Sequence, residues 1–397
     1  MSSSVTLTAA TRQNLLSLQD TAALTATTQN RLSTGLKVSS ALDNPVSFFT
    51  SQSLSQRSGD LGNLLDGISN GIQAIQAANQ GITSIQKLVD QAKSVANQAL
   101  STQITTTGTA STKYSAPAAD TTLNLFVNGV ATTAALTSTG TIDDAIASLN
   151  TAVGAGSFSK SSDGTKIVMN ASADVEFKTS ADQTALGFTG GTNASGVTYD
   201  TTTAASQSTD LTVSGVSARA TLATQYNSLL TQIDQLASDA SFNGTNLIRG
   251  KGPNNDLTIN FNPKGNSNLQ VTATDETSAG LNLSAISNKS AGTTKAGQGF
   301  FLLNDDINTT LDSLTSASSQ LRTDASTFGS NLSVVQNRQD FSKNLINILD
   351  TGSSNLTAAD LNQEAANSQA LSTRQSLGIS ALSLANQAQQ GILQLLR

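Results

Sequence analysis

The side chains that could do chemistry are few, and the first to test are paired acids. Asp143-Asp144, Asp275-Glu276 and Asp305-Asp306 each place two carboxyl groups side by side. A carboxylate pair can serve general acid–base work or a Ca²⁺ loop, but neither a glycosidase-like nor an EF-hand spacing surrounds these residues. Acids in such runs read more simply as helix N-termini and turns, where negative charge favours the macrodipole. The Gly-rich run Gly187-Phe188-Thr189-Gly190-Gly191 is not followed by Gly-Lys-Ser/Thr, so it does not read as a phosphate cradle. The chain has no His and no Cys, which removes the imidazole base, the thiol nucleophile and the usual nitrogen and sulfur metal ligands. No acid, base and nucleophile converge, so the sequence points away from an enzyme, with no cofactor and no metal.

The elements that would hold any function are therefore the informative part. At 397 residues the chain can form two or three domains. Charged residues make up only 12% and the net charge is −6, which argues against nucleic acid and anionic membrane as partners. Met1 to Leu7 carries no basic n-region before a long apolar stretch, so the pattern of a secretory signal peptide is absent. Gln375 to Leu396 is uncharged and long enough to span a bilayer, but Gln375, Ser376, Asn386, Gln387, Gln389, Gln390 and Gln394 make it a poor membrane helix. It reads instead as a helix touching protein on several sides.

The order is helix, sheet, helix. Residues 1–100 and 218–397 show helical periodicity, while 101–217 are rich in Thr, Ser, Gly and Ala with period-two runs. Leu15, Leu18, Ala22, Thr25, Gln29 and Leu32 recur at steps of three and four, and Gly35 can end that helix. Asn44-Pro45 reads as N-cap and N1 of the next helix, whose stripe runs from Ile68 through Ile85 and Val89 to Ala99. A heptad runs from Ile307 through Leu314, Leu321, Phe328 and Val335 to Leu349, preceded by a shorter seam from Leu222 to Leu236. Thr357 with Asp360 predicts a capping box for the last helix, with Leu356 and Leu361 as its hydrophobic staple. There Leu377, Ala381, Leu384, Ala388, Gly391 and Leu395 form the stripe, with further apolar residues on other faces. Residues 256–273 predict a hairpin. In the insert, Leu123 to Val127, Asn128-Gly129, a capped helix from Thr141, and strands at 166–169 and 175–178 predict a small α+β unit.

Seams at 68–99, 222–236 and 307–349 are expected to close on one another inside one subunit. The terminal helices differ. Residues 1–36 carry only Arg12, Asp20 and Arg31, and 361–397 only Glu364, Arg374 and Arg397. Helices so poor in charge fit inside an assembly better than in water alone. Leu15, Leu18, Leu32, Leu377, Leu384, Ala388, Ile392 and Leu395 are the expected assembly interface.

Three motifs carry a family resemblance. Leu32-Ser33-Thr34-Gly35-Leu36-Lys37-Val38-Ser39-Ser40-Ala41 closely resembles the N-terminal signature of bacterial flagellins. Phe242-Asn243-Gly244-Thr245-Asn246-Leu247 is similar to the family's segment after the second core helix, and Ala381 to Ala388 with Ile392 to Arg397 resembles its C-terminus. The resemblance implies a mainly α fold with three parts. Residues 1–42 and 357–397 would pair as a terminal coiled-coil domain lining an inner tube. Residues 43–100 and 218–356 would form a rod-like helical core with the hairpin 256–273, and 101–217 a variable outer α+β domain.

What the resemblance implies for function is a structural subunit of the flagellar filament. It would be exported unfolded without a cleaved signal, and would assemble outside the cell through its terminal helices. Implied partners are copies of itself, an export chaperone, and hook-associated and cap proteins. A hook–filament junction protein shares these ends, and a secreted adhesin or glycan-binding module acting through 101–217 is the alternative from another class. Some flagellins meet an innate immune receptor through the first rod helix; the matching stretch here holds Gln86, Lys87, Val89, Asp90 and Gln91. The family pattern has Arg at the positions of Lys87 and Val89, Leu at that of Gln91 and Glu at that of Asp90. Lys lacks Arg's planar fork, so a weak contact is expected.

Overall fold

The computed structural model describes residues 9–191, 207–286 and 301–395. Helix α1 spans Ala9–Thr34 and ends at Gly35, whose positive φ of 71° and N–H to Arg31 O (2.8 Å) close it as a left-handed C-cap. Helix α2 spans Pro45–Ser101, with the Asn44 side chain accepting from Ser47 N at 3.1 Å. Next come strands β1 (Thr105–Thr109), β2 (Thr121–Val127) and β3 (Val130–Leu136), then helix α3 (Ile142–Val153). Strands β4 (Phe158–Lys160), β5 (Ile167–Ala171) and β6 (Val175–Phe177), helix α4 (Ser180–Thr184) and strand β7 (Leu211–Ser214) complete the insert. Helix α5 (Val216–Asp239), the short ladder of β8 (Ser241–Phe242) and β9 (Thr245–Asn246), and the hairpin of β10 (Leu257–Asn260) and β11 (Asn268–Val271) follow. Helices α6 (Asn304–Thr357) and α7 (Leu361–Leu395) end the described chain.

Contacts cluster into two compact units, one of residues 1–69, 260–268 and 336–397, the other of 70–259 and 269–335. Along α2 every seam position expected from Ile68 to Ala99, including Ile75, Ile82, Ile85 and Val89, is buried. Each such Ile or Leu contributes about 1.5–3 kcal/mol by leaving water. The heptad on α6 is inward throughout: Ile307, Leu314, Leu321, Phe328 and Val335 are buried and Leu311 and Ala325 half-buried. One polar register point joins the helices, where Gln86 Nε2 donates to Ser318 Oγ at 2.8 Å.

The insert enters through β1 and leaves through β7, which lie side by side and antiparallel (Thr105 opposite Ser214) in the sheet β4-β5-β1-β7. Adjacent entry and exit strands let this unit interrupt a helical chain without disturbing it. A second sheet, β3-β2-β6, turns at Asn128-Gly129, where both residues have positive φ (48° and 77°) as a type I′ hairpin requires. The expected box caps α3: Asp144 N donates to Thr141 Oγ1 (3.3 Å) and Thr141 N to Asp144 Oδ2 (2.8 Å). Leu125, Leu149, Ile167, Val175, Phe177 and Phe188 fill the core.

One cap expected from the sequence is corrected. Thr357 is the last residue of α6, its hydroxyl bonded back to Ser353 O at 3.1 Å. Asp360 is the N-cap of α7, with Oδ1 accepting from Asn362 N (3.0 Å) and Gln363 N (3.2 Å).

Candidate assembly interface

The terminal pair is built from α1 and α7. Leu18 lies against Gly378, where an added Cβ would stand 2.9 Å from Leu18 Cδ1, and Arg31 bonds Glu364 Oε1 at 3.1 Å. Pairing 18 with 378 and 31 with 364 makes the helices antiparallel. The inward positions of α1 are Thr11, Asn14, Leu18, Thr21, Thr25, Thr28 and Arg31; those of α7 are Glu364, Ser368, Leu371, Gln375, Gly378, Leu382 and Ala385. Both sets step by three and four, a coiled-coil seam, but a largely polar and small one. Threonine suits it because its hydroxyl can be satisfied within its own helix, as Thr21 Oγ1 to Ser17 O and Thr25 Oγ1 to Thr21 O (both 2.7 Å) show, leaving the methyl to pack.

The residues expected at the assembly interface divide between this seam and the outer surface of the pair. Leu15, Leu32, Leu377, Leu384 and Ala388 stand outside these inward positions and are exposed, as are Leu16, Leu24, Leu361 and Ile379. Leu18 is the exception, a knob inside the pair. The side chains of Ile392 and Leu395 lie outside those described. The leucines are thus divided: Leu18, Leu371 and Leu382 stand at inward positions, while the other leucines of α1 and α7 whose side chains are described face outward.

The base of the pair is fixed by main chain. Leu36 bridges Ala358; Lys37 N and Val38 N donate to Thr357 O (2.8 and 3.3 Å), and Ala359 N donates to Gly35 O (2.8 Å). Beyond it, Asp43 Oδ2 accepts from the N–H and hydroxyl groups of Ser39 and Ser40. These bonds, the Ser40 N–H foremost, hold its carboxyl below the usual range. The signature around Gly35 is thus a connector. Farther along the same unit Leu42, Val46, Phe49, Phe341 and Ile348 are exposed, an apolar set the sequence reading did not single out. Between α2 and α6 there, a polar contact forms: Ser353 Oγ meets Ser51 Oγ (2.8 Å) and Ser55 Oγ (2.9 Å).

Of the receptor-facing residues, Lys87, Asp90 and Gln91 are exposed and Gln86 is half-buried, its amide held by Ser318 and Asp90. Val89 has no exposed surface, because it belongs to the inward seam of α2, so it is removed from that face. No helix among the described residues is long and apolar enough to cross a membrane.

The fold and this surface define a class: a chain whose two ends fold back on each other as a polar-seamed helix pair while displaying leucine outward. The comparisons identify it further. Residues 5–136 match the bacterial flagellin N-terminal helical region and 311–396 the bacterial flagellin C-terminal helical region, together more than half the chain. The chain belongs to the bacterial flagellin family. It is 36% identical over 176 residues to flagellin FljM of Caulobacter vibrioides, covering 44% of this chain and 59% of that protein. A flagellin of Brucella melitensis is 28% identical over 181 residues, covering 44% of this chain and 61% of that one. The chain thus spans about three fifths of the length of these curated relatives.

Proposed function

We propose that this chain is a structural subunit of the bacterial flagellar filament, acting by self-assembly rather than by catalysis. The observation that carries the reading is the outward leucine set on α1 and α7, which the single chain leaves in water while its own seam is largely polar and small. Eight large apolar side chains (Leu15, Leu16, Leu24, Leu32, Leu361, Leu377, Ile379 and Leu384) stand on that face. Completing their burial against other copies supplies on the order of 10 kcal/mol per subunit before ordering costs. In this reading 1–42 with 357–397 form the terminal coiled-coil domain, 43–100 with 218–356 the helical core, and 101–217 the outer domain. Assembly takes place outside the cell after export, with an export chaperone, hook-associated and cap proteins as transient partners and a weak innate immune receptor contact at Lys87, Asp90 and Gln91.

Removing residues 361–397 tests this. Negative-stain microscopy is expected to show no filaments while circular dichroism retains the signal of α2, α5 and α6. Filaments growing normally from the truncated chain would refute it.

A further inference from the structure

The adjacent acids Asp275-Glu276 are the one pair that does not sit at a helix start. Glu276 is completely buried, and its N–H pairs with Ile248 O at 2.9 Å, next to Thr274 N on Leu247 O at 2.8 Å. Those bonds fix the carboxyl group inside the protein against Asp324 of α6, itself only 9% exposed. Asp324 Oδ2 is already occupied by Gln320 Nε2 at 2.6 Å. Neither oxygen of Glu276 makes a well-formed hydrogen bond, the adjoining Thr274 hydroxyl is not in good geometry either, and no ion pair among the described residues reaches either acid.

The other charged groups nearby do not neutralise the pair. Asp275 adjoins Glu276 and spends Oδ1 on Thr277 N and Oγ1 (3.2 and 2.6 Å). Asp312 of α6 and Lys251 line a neighbouring cavity of about 530 Å³ together with Asp324. Arg249 bridges Asp275 through its backbone. Two buried carboxylates facing each other without a cation cannot both ionise cheaply. One proton between them removes the repulsion and supplies the missing donor.

We propose that Glu276 and Asp324 form a proton-operated latch, in which one shared proton bridges the two carboxyl groups and holds the 274–286 segment on α6, and loss of that proton in alkaline medium loosens the segment. Burial first, and the adjoining Asp324 and Asp275 after it, push the Glu276 carboxyl up to about 7 from its ordinary 4.5, with the Thr274 hydroxyl pulling the other way. The sign follows. The folded chain keeps a proton that the opened segment releases between these values. The stabilisation is complete below about 4.5, falls as pH rises, and is gone above about 7.

Amide hydrogen exchange in the full-length monomer reads this directly. After correction for intrinsic exchange, the opening constant of 274–286 is expected to rise on the order of 100-fold between roughly pH 5 and 8.5. Amides of the α2 seam should stay flat over the same range. In Glu276→Gln the carboxamide donates to Asp324 at every pH, so the rise should vanish and the segment should be tighter than wild type at alkaline pH. Asp324→Asn should behave likewise and provides the same comparison if the first variant does not fold. A flat wild-type profile would overturn the latch, as would an undiminished rise in a folded variant of either acid.

Discussion

Replacing Leu377 and Leu384 together by serine separates assembly from folding, because both side chains are largely exposed and outside the inward positions of the pair. They are 66% and 71% exposed in the single chain. Full burial of a leucine contributes about 1.5–3 kcal/mol, so the two-thirds still available at each site is about 1–2 kcal/mol. The pair is therefore worth about 2–4 kcal/mol per subunit in the assembled state. At about 1.4 kcal/mol per factor of ten, the critical concentration for polymer growth rises roughly 30- to 700-fold. The monomer should change by no more than about 0.5 kcal/mol, since exposed positions carry little folding energy. Sedimentation at graded protein concentrations gives the critical concentration, and urea unfolding followed by circular dichroism gives the monomer control. Polymer forming at the wild-type concentration would refute the reasoning, as would a double variant whose helices unfold before any assembly is attempted.

Other changes probe the framework. Asp360→Ala removes the true cap of α7 and should cost about 1 kcal/mol, seen as faster amide exchange in its first turn, while Thr357→Ala leaves that turn unchanged. Ile85→Ala opens a cavity at a fully buried seam position and should cost about 2–5 kcal/mol, read as a lower urea midpoint. Gly129→Ala forces a side chain into the positive φ of the β2–β3 turn (77°) and should destabilise the insert by about 1 kcal/mol or more, detected by proteolysis within 101–217.

How much was legible in the sequence depended on what fills each seam. The stripes of α2 and α6 could be counted because Ile, Leu, Val and Phe stand at the inward positions, and even Ser318 and Ser342 of that heptad are buried. The α1–α7 seam was not singled out, because Thr21, Thr28, Ser368 and Gly378 carry no apolar signal. The type I′ turn and the α3 cap were readable since Asn-Gly and Thr-x-x-Asp act within four residues. Strand β1, Thr-Thr-Thr-Gly-Thr, lacks alternation, and its identity comes from β5 and β7 on either side. The Glu276–Asp324 contact joins residues far apart in the chain. Only the fold brings them together, and local reading had assigned Glu276 to a turn.

The central claim is that the outward leucines of α1 and α7 are buried by other copies, not by their own chain. The protein has no cysteine, so a single thiol introduced by Leu384→Cys is an unambiguous probe. Its alkylation rate, measured in monomer and in polymer of the same variant, tests the claim directly. The account predicts reaction near the rate of a free thiol in the monomer and strong protection in the polymer. Equal reactivity in both states would contradict it.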